Sequence, residues 1–162
     1  MSRITTRPIR ASDRADIGRL LGQISEFRED EIACALELVD EALKSGNRGN
    51  DYAVLCAENE GDGVVGFICY GETPLTKAVY DLYWIVIDPR HQRCGIGGKL
   101  LNHLENIIRT KHGRILVAET SSLPSYGKAR SFYAREGFRQ ESRIKDCYAP
   151  GDDRLTYCKR YG

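Results

Sequence analysis

The sequence predicts an α+β fold, with a mixed, largely antiparallel sheet of about seven strands flanked by about four helices. The first reason is that short runs rich in Val, Ile, Tyr and Cys, typical of strands, occur in groups separated by amphipathic runs at helical spacing. The second is a strand–helix–strand step in the middle of the chain, which should add one parallel pair through a right-handed crossover. Because no repeat or linker divides the 162 residues, we expect one domain over residues 1–162.

The first half of the chain predicts a leading strand, two helices and a hairpin. The strand is expected over residues 4–10, and the first helix follows with Ser12 as its N-cap. A second amphipathic run predicts a helix over about residues 30–44. The runs 52–58 and 64–72 are typical of strands, and the Gly-containing turn between them favours a hairpin.

The second half predicts two strand–helix steps and a final hairpin. Apolar residues at helical spacing indicate a long helix over residues 96–111 and a shorter one over 128–136, with Gly137 in the position that favours left-handed geometry. The strands of this half are expected over residues 79–87, 115–120, 138–146 and 155–161. The step from residue 79 to residue 120 is the one that should produce the parallel pair.

The composition excludes several classes of protein. The 24 basic and 23 acidic side chains give a net charge of +1, so we expect neither a nucleic-acid nor a membrane-surface partner, since both leave a strongly basic footprint. No run approaches the ~20 apolar residues of a membrane span. The six cysteines form no C-x-x-C pair and no zinc-type spacing, and most are expected to be buried as free thiols. We therefore expect a cytoplasmic protein without a metal.

The segment from Leu82 to Leu101 predicts a local anion site. A strand runs into a basic turn, and Gly95, Gly97 and Gly98 then open the long helix. Backbone N–H groups at a helix N-terminus are unpaired and favour negative charge, and glycine lets a phosphate approach closely. Neither the G-x-G-x-x-G dinucleotide pattern nor the P-loop pattern is present.

This segment resembles the GCN5-related N-acetyltransferase (GNAT) superfamily, whose motif is Q/R-x-x-G-x-G/A. The matching residues are Gln92, Arg93, Cys94, Gly95, Ile96 and Gly97. The preceding WIVIDP strand, the following helix and the later ARSFYAREGF segment stand in family order, so the resemblance covers about Tyr52 to the C-terminus. It implies a GNAT-type sheet with a splayed central parallel strand pair and an acetyl-CoA-dependent N-acetyltransferase.

The resemblance also implies which residues bind the cofactor. Backbone N–H groups of the turn and the helix start would hold the pyrophosphate, and the pantetheine arm would lie along the strand before them. Phe132 would flank the arm and Arg135 would reach a phosphate. The expected cofactor-binding residues are Ile85, Val86, Ile87, Gln92, Arg93, Cys94, Gly95, Ile96, Gly97, Gly98, Lys99, Phe132 and Arg135.

The expected catalytic residues are Tyr133 and Glu119. The resemblance implies that Tyr133, in the F-Y-x-x-x-G-F element, gives a proton to the leaving thiolate. Glu119, near the end of the strand before this helix, is the candidate general base, with Asp81 and Glu72 as alternatives.

Two further expectations concern the same site. The backbone N–H of Val86 or Ile87 would polarise the acetyl carbonyl. Many relatives carry Asn where this chain has Tyr126, so a cofactor hydrogen bond from that position is not expected.

Three functions remain open at this point. The first is acetylation of a primary amine of a small molecule or amino acid; the second is acetylation of protein N-termini or lysines. The third is a non-catalytic acetyl-CoA-binding module. Acidic residues over 26–41 suit a cationic acceptor, whereas the tail from Asp146 to Asp153 resembles the final hairpin of ribosomal-protein N-terminal acetyltransferases. Small domains of this type often pair, so a homodimer is also expected.

Overall fold

The computed structural model describes residues 3–48 and 51–162. They form a seven-stranded sheet in the order β1-β2-β3-β4-β5-β7-β6. The strands are β1 (Ile4–Pro8), β2 (Ala53–Asn59), β3 (Gly63–Glu72), β4 (Val79–Ile87), β5 (Ile115–Ser121), β6 (Arg139–Ala149) and β7 (Asp152–Arg160). The helices are α1 (Arg14–Gly22), α2 (Glu29–Lys44), α3 (Ile96–Thr110) and α4 (Gly127–Arg135). The predicted fold class is confirmed.

The sheet is antiparallel except at its centre, where β4 and β5 run parallel. This is the pair that the strand–helix–strand step predicted. Pairing between the two strands extends only from Val79–Ile115 to Leu82–Ala118, although both strands continue further. The parallel pair is therefore splayed, and a gap opens between β4 and β5.

Helices cover both faces of the sheet. The α1 and α2 helices bury Ile17, Leu20 and Val39 against one face, which Phe67 of β3 also faces. On the other face, α3 packs its apolar stripe and α4 contributes Tyr133. Because side chains alternate along a strand, each residue at the gap belongs to one of these two layers.

The start of α1 differs from the prediction. The chain first makes a short 3-10 turn over Ala11–Asp13, so Ser12 is not the N-cap. The carboxylate of Asp13 instead accepts a hydrogen bond from the Arg10 backbone N–H at 2.7 Å and two from the Arg7 guanidinium at 2.7 and 2.9 Å. An ion pair with β1 therefore fixes this end of the helix, which the local N-cap pattern could not show.

The cysteine expectation was wrong in part. Cys56 and Cys69 are buried free thiols, but Cys34, Cys94 and Cys147 are exposed. Cys34 lies on the solvent-facing side of α2, Cys94 in the turn before α3, and Cys147 on β6, whose residues are all exposed. No helix within the described residues is long and apolar enough to cross a membrane.

Candidate active site

The edge of β4 that faces the gap is open. β5 pairs with β4 only as far as Leu82, and a β-bulge then leaves Tyr83 unpaired with β3 as well, because Tyr70 pairs with Leu82 and Cys69 with Trp84. Bulges of this kind re-aim a strand and occur beside active sites. The last five residues of β4 therefore present backbone polar groups to the gap.

The register of β4 decides which amides point into the gap. The Asp88 N–H donates to the Val65 carbonyl of β3, at 2.8 Å. Since backbone groups alternate along an antiparallel strand, the Val86 N–H also points toward β3. The N–H groups of Ile85 and Ile87 point the other way. Of the two backbone N–H groups expected to polarise the acetyl carbonyl, that of Ile87 points into the gap and that of Val86 does not. The N–H group of Ile85, which was not among those expected, also points into the gap.

The start of α3 forms a positively polarised turn. Gly95 is its N-cap in the left-handed conformation, with φ of 75°. The Lys99 N–H donates to the Gly95 carbonyl at 3.1 Å, so the N–H groups of residues 96–98 precede the first helical hydrogen bond. Together with the helix dipole they suit an anion such as a phosphate.

A cavity of about 860 Å³ joins this turn to β4 and α4. It brings together most of the predicted cofactor residues with Tyr133. The predicted residues that line it are Ile85, Ile87, Gln92, Arg93, Gly95, Ile96, Gly97, Gly98, Phe132, Tyr133 and Arg135. The remaining three, Val86, Cys94 and Lys99, do not line the cavity: Val86 is buried in the layer under α1 and α2, and the other two are exposed.

At the floor of the cavity, the backbone of α3 is accessible, so a long, thin ligand can lie directly against it. A Cβ atom at Gly97 would come within 3.0 Å of the Phe132 ring and 3.8 Å of the Ile85 side chain. Glycine there lets α3 and α4 approach closely while its own backbone stays accessible. The glycines, the unpaired N–H groups and the apolar β4 wall fit a phosphate-bearing ligand with a long, thin arm.

Tyr133 is held rigidly at the inner end of this cavity. Its side chain is only 5% exposed and packs against the rings of Phe138 and Tyr157, at centroid distances of 5.3 and 5.7 Å. Burial raises the pKa of Tyr133 well above its ordinary value. The hydroxyl is therefore a proton donor throughout the neutral range.

The three candidate bases lie away from the cavity. Leu116 and Ala118 of β5 face the α3 layer, so Glu119 faces the α1 and α2 side, where its side chain is about half exposed. Asp81 accepts hydrogen bonds from Thr73 Oγ1 at 2.8 Å and from the Tyr83 hydroxyl at 3.4 Å. Glu72 is exposed at the end of β3. Tyr133 and Glu119 thus approach the gap from opposite faces of the sheet.

The structure adds residues that the sequence did not single out. His91 lines the cavity, and its Nε2 lies 3.1 Å from Asp62 Oδ2 in the β2–β3 turn. On the other face, Arg154 Nε lies 3.9 Å from Glu119 Oε2. The basic turn around His91 was visible in the sequence, but its partner in the β2–β3 turn was not. Nothing in the local sequence around Arg154 indicates its neighbour on β5.

Tyr126, the departure from the family pattern, makes a different contact. Its hydroxyl donates to Glu31 Oε2 of α2 at 3.4 Å, which connects the segment after β5 with the α1 and α2 layer. Burial and the charge of Glu31 raise the pKa of Tyr126. Within residues 3–48 and 51–162, no cluster of His, Cys, Asp and Glu is arranged to hold a metal ion.

Comparison with known proteins agrees with this geometry. The family model of the acetyltransferase (GNAT) domain matches residues 50–140, more than half of the chain. A protein from Desulfovibrio desulfuricans, described as an acetyltransferase of the GNAT family, shares 36% identity and superposes with a TM-score of 0.91 over 98% of this chain and 99% of that chain.

Two more distant structures share the fold. They are the PaiA N-acetyltransferase of Thermoplasma acidophilum in complex with coenzyme A (18% identity, TM-score 0.74, covering 98% of this chain and 99% of that chain) and the ribosomal-protein-S18-alanine N-acetyltransferase of Escherichia coli (17%, 0.73, 98% and 94%). No curated protein sequence matches the chain significantly. The family match and the 36% identical relative show that this chain belongs to the GNAT acetyltransferases.

Proposed function

We propose that this protein transfers the acetyl group of acetyl-CoA directly to a primary amine of a small molecule or an amino acid. The observation that carries the proposal is the arrangement around the gap between β4 and β5. One cavity holds the open β4 edge, the polarised start of α3 and the buried Tyr133, while the carboxylate of Glu119 lies on the opposite face. A donor and an acceptor can therefore reach the gap from two sides.

Acetyl-CoA supplies an activated thioester, and the residues of this chain would hold it in three places. The N–H groups at the start of α3 would bind the pyrophosphate, and Arg93 and Arg135 add positive charge at the cavity mouth. Ile85 and Ile87 would contact the pantetheine arm, and their inward amides would donate hydrogen bonds to it or to the acetyl oxygen. Phe132 closes the cavity over Gly97.

Proton transfer would involve the two faces of the sheet. The net reaction forms a bond from the amine nitrogen to the acetyl carbon, breaks the carbon–sulfur bond, and moves one proton from nitrogen to sulfur. Glu119 would take the proton from nitrogen, directly or through a water, and Tyr133 would give one to sulfur. Because burial raises the pKa of Tyr133, its ionisation should not limit activity below about pH 10.

A peptide N-terminus is the second candidate acceptor, favoured by the β6–β7 hairpin. Burial and the nearby charge of Glu119 raise the pKa of Tyr148, a tyrosine of this hairpin, to about 12. Tyr148 is half exposed, so it could contact a peptide lying across the open side of the gap. An acceptor of this kind would need an open groove and not a closed pocket.

The test begins with calorimetric titration of acetyl-CoA, followed by thiol release with a panel of amines and peptides. We expect Tyr133→Phe to lower kcat about 10- to 100-fold with little change in the Kd for acetyl-CoA, because only the hydroxyl is removed. Tyr157→Phe is the matched control, since it removes a neighbouring buried hydroxyl outside the cavity. Binding without turnover on any amine would contradict the proposal.

The same assay separates the candidate bases. Glu119→Gln should lower kcat by about 10- to 100-fold and weaken its rise with pH, because the amide cannot accept the proton. Asp81→Asn should have a smaller effect, since Thr73 and Tyr83 already occupy that carboxylate. A larger loss of kcat in Asp81→Asn than in Glu119→Gln would indicate that Asp81, and not Glu119, is the general base.

A further inference from the structure

Two opposite charges lie side by side on the acceptor side of the gap. Arg154 of β7 stands opposite Ser121 of β5, and Glu119 stands two residues earlier on the same strand. Arg154 Nε lies 3.9 Å from Glu119 Oε2, which is too long for a hydrogen bond. Both side chains therefore keep hydrogen-bonding capacity for another group.

The guanidinium of Arg154 is unusual for a surface ion pair. Its side chain is about two-thirds buried, with 35% exposed, and the Nε atom is fully buried with no hydrogen-bond partner among the described residues. A buried, charged N–H without a partner costs more than an exposed one. Since Nε itself is closed to solvent, it holds the guanidinium beside Glu119 by charge, and a bound anion would meet the exposed part of the side chain.

The pair lies where an acceptor must arrive. Ala118 is the last residue of β5 that pairs with β4, and Glu119 follows it directly. Trp84, next to the bulge in β4, packs into the α1 and α2 layer with its ring 5.3 Å from that of Phe27. One member of each pair, Glu119 on β5 and Trp84 on β4, thus lies on the two strands that separate at the gap, on the face opposite Tyr133.

We infer that Arg154 binds the α-carboxylate of a free α-amino acid whose amine lies at Glu119, an assignment that rests on the function proposed above. An α-amino acid carries an amine and a carboxylate one carbon apart, which suits a carboxylate and a guanidinium whose nearest atoms are 3.9 Å apart. Arginine binds carboxylates through two parallel N–H groups. A peptide N-terminus presents a neutral amide at that position and a simple amine presents nothing.

The inference predicts a preference among acceptors that differ in one group. The probes are the twenty common L-amino acids and the carboxamide of each, assayed by thiol release at saturating acetyl-CoA. The preferred free amino acid should have a kcat/KM about 10- to 100-fold above that of its own amide, because the amide lacks the charge that Arg154 binds.

Substitution at Arg154 then assigns that preference to one residue. Arg154→Gln should raise KM for the free amino acid about 10- to 100-fold, and it should lower the ratio of kcat/KM for the free amino acid to kcat/KM for the amide by about the same factor. The KM of Arg154→Lys for the free amino acid should lie between those of the wild type and of Arg154→Gln, because lysine keeps the charge but not the paired N–H groups. Arg160→Gln is the matched control, because it is the same substitution on the same strand in an exposed ion pair with Glu141.

The possible results distinguish a failure of the Arg154 assignment from a failure of the acetyltransferase function on which it rests. If amides or peptides are acetylated as well as free amino acids, or if Arg154→Gln affects both classes equally, the inference is overturned and the acetyltransferase function stands. The amide activity of Arg154→Gln also reports whether the variant is folded. If acetyl-CoA binds but neither class is acetylated, the proposed function fails and the inference fails with it.

Discussion

The two sides of the gap between β4 and β5 are built in different ways. On the side that we propose binds the cofactor, the cofactor side, formed by β4, α3 and α4, backbone groups determine the geometry: the left-handed Gly95, the unpaired N–H groups of α3 and the open amides of Ile85 and Ile87. On the side that we propose receives the acceptor, the acceptor side, formed by α1, α2, β5 and β7, side chains such as Glu119 and Arg154 determine it. Backbone geometry suits a ligand that never changes, whereas side chains can be exchanged to suit another acceptor.

The largest effect that this comparison predicts is at Gly97. A tryptophan there should raise the Kd for acetyl-CoA more than about 100-fold, because even a Cβ would lie 3.0 Å from Phe132 and the indole would occupy the cavity. Calorimetric titration measures the loss. Gly98→Ala is the control, since its Cβ would meet only Glu136 Oε1, at 3.5 Å, an ordinary contact.

A different result at Gly97 would contradict the assignment of the cofactor to the start of α3. Binding by Gly97→Trp that matches the wild type, in a protein with an unchanged melting temperature, would show that the start of α3 is not the cofactor cradle. A loss of equal size in Gly98→Ala would show that the start of α3 cannot accept an added methyl group at either glycine of the cavity. The contact with Phe132 would then not be the reason why Gly97→Trp loses acetyl-CoA binding.

The same contrast explains what the sequence could predict. The long helix, the parallel pair and the glycine turn lie within one continuous segment, so local pattern was enough to place them, whereas the splay of the pair was implied by the family resemblance. The orientation of the β4 amides depends on the register with β3, and a slip of one residue would exchange Val86 for Ile87. Hence the sequence could nominate both amides but could not choose between them.

The acceptor side and the anchor of α1 were harder to predict for a related reason. Ser12 fits a local N-cap pattern, but Asp13 finds a stronger partner in Arg7 of β1, and tertiary contacts override the propensity. Arg154 and Glu119 meet only because β7 inserts between β5 and β6 in the sheet. No spacing in the sequence encodes that contact.

A moderate effect on stability is expected at Asp13, which ties the acceptor-side layer to β1. Burial alone would raise the pKa of Asp13, but hydrogen bonds from Arg7 and the Arg10 amide outweigh it and hold the pKa below its ordinary value. Asp13→Asn should lower the free energy of unfolding by about 1–3 kcal/mol at pH 7, since Arg7 loses a charged partner. Chemical denaturation measures the difference.

The pH dependence of this effect has a definite sign. Because the folded-state pKa of Asp13 lies below the unfolded value, the stabilisation is complete above about pH 5 and is lost as the pH falls below about 4. The free energies of unfolding of wild type and Asp13→Asn should therefore converge under acid conditions. Asp30→Asn, in a fully exposed pair with Arg28, is the control and should change little at either pH. A constant difference between wild type and Asp13→Asn across this range would contradict the assignment.

The smallest effect tests whether side chains also contribute on the cofactor side. His91 lies in the turn before α3, and its Nε2 contacts Asp62 Oδ2, which also accepts from Asn59 Nδ2 at 2.8 Å. This contact ties the turn to the β2–β3 hairpin, and one such hydrogen bond contributes about 0.5–1.5 kcal/mol. His91→Ala should therefore raise the Kd for acetyl-CoA by about 3- to 10-fold and leave the kcat at saturating acetyl-CoA nearly unchanged.

A double-mutant cycle distinguishes this positioning role from a general loss of structure. Asp62→Ala alone should weaken binding to a similar degree, and the double variant should be hardly worse than either single one, because both remove the same contact. His112→Ala, an exposed histidine just beyond the C-terminal end of α3, should bind acetyl-CoA like the wild type. Additive losses in the cycle would mean that His91 acts on the cofactor independently of Asp62. The cofactor side would then depend on a side chain in direct contact with its ligand, and the contrast between the two sides of the gap would be one of degree.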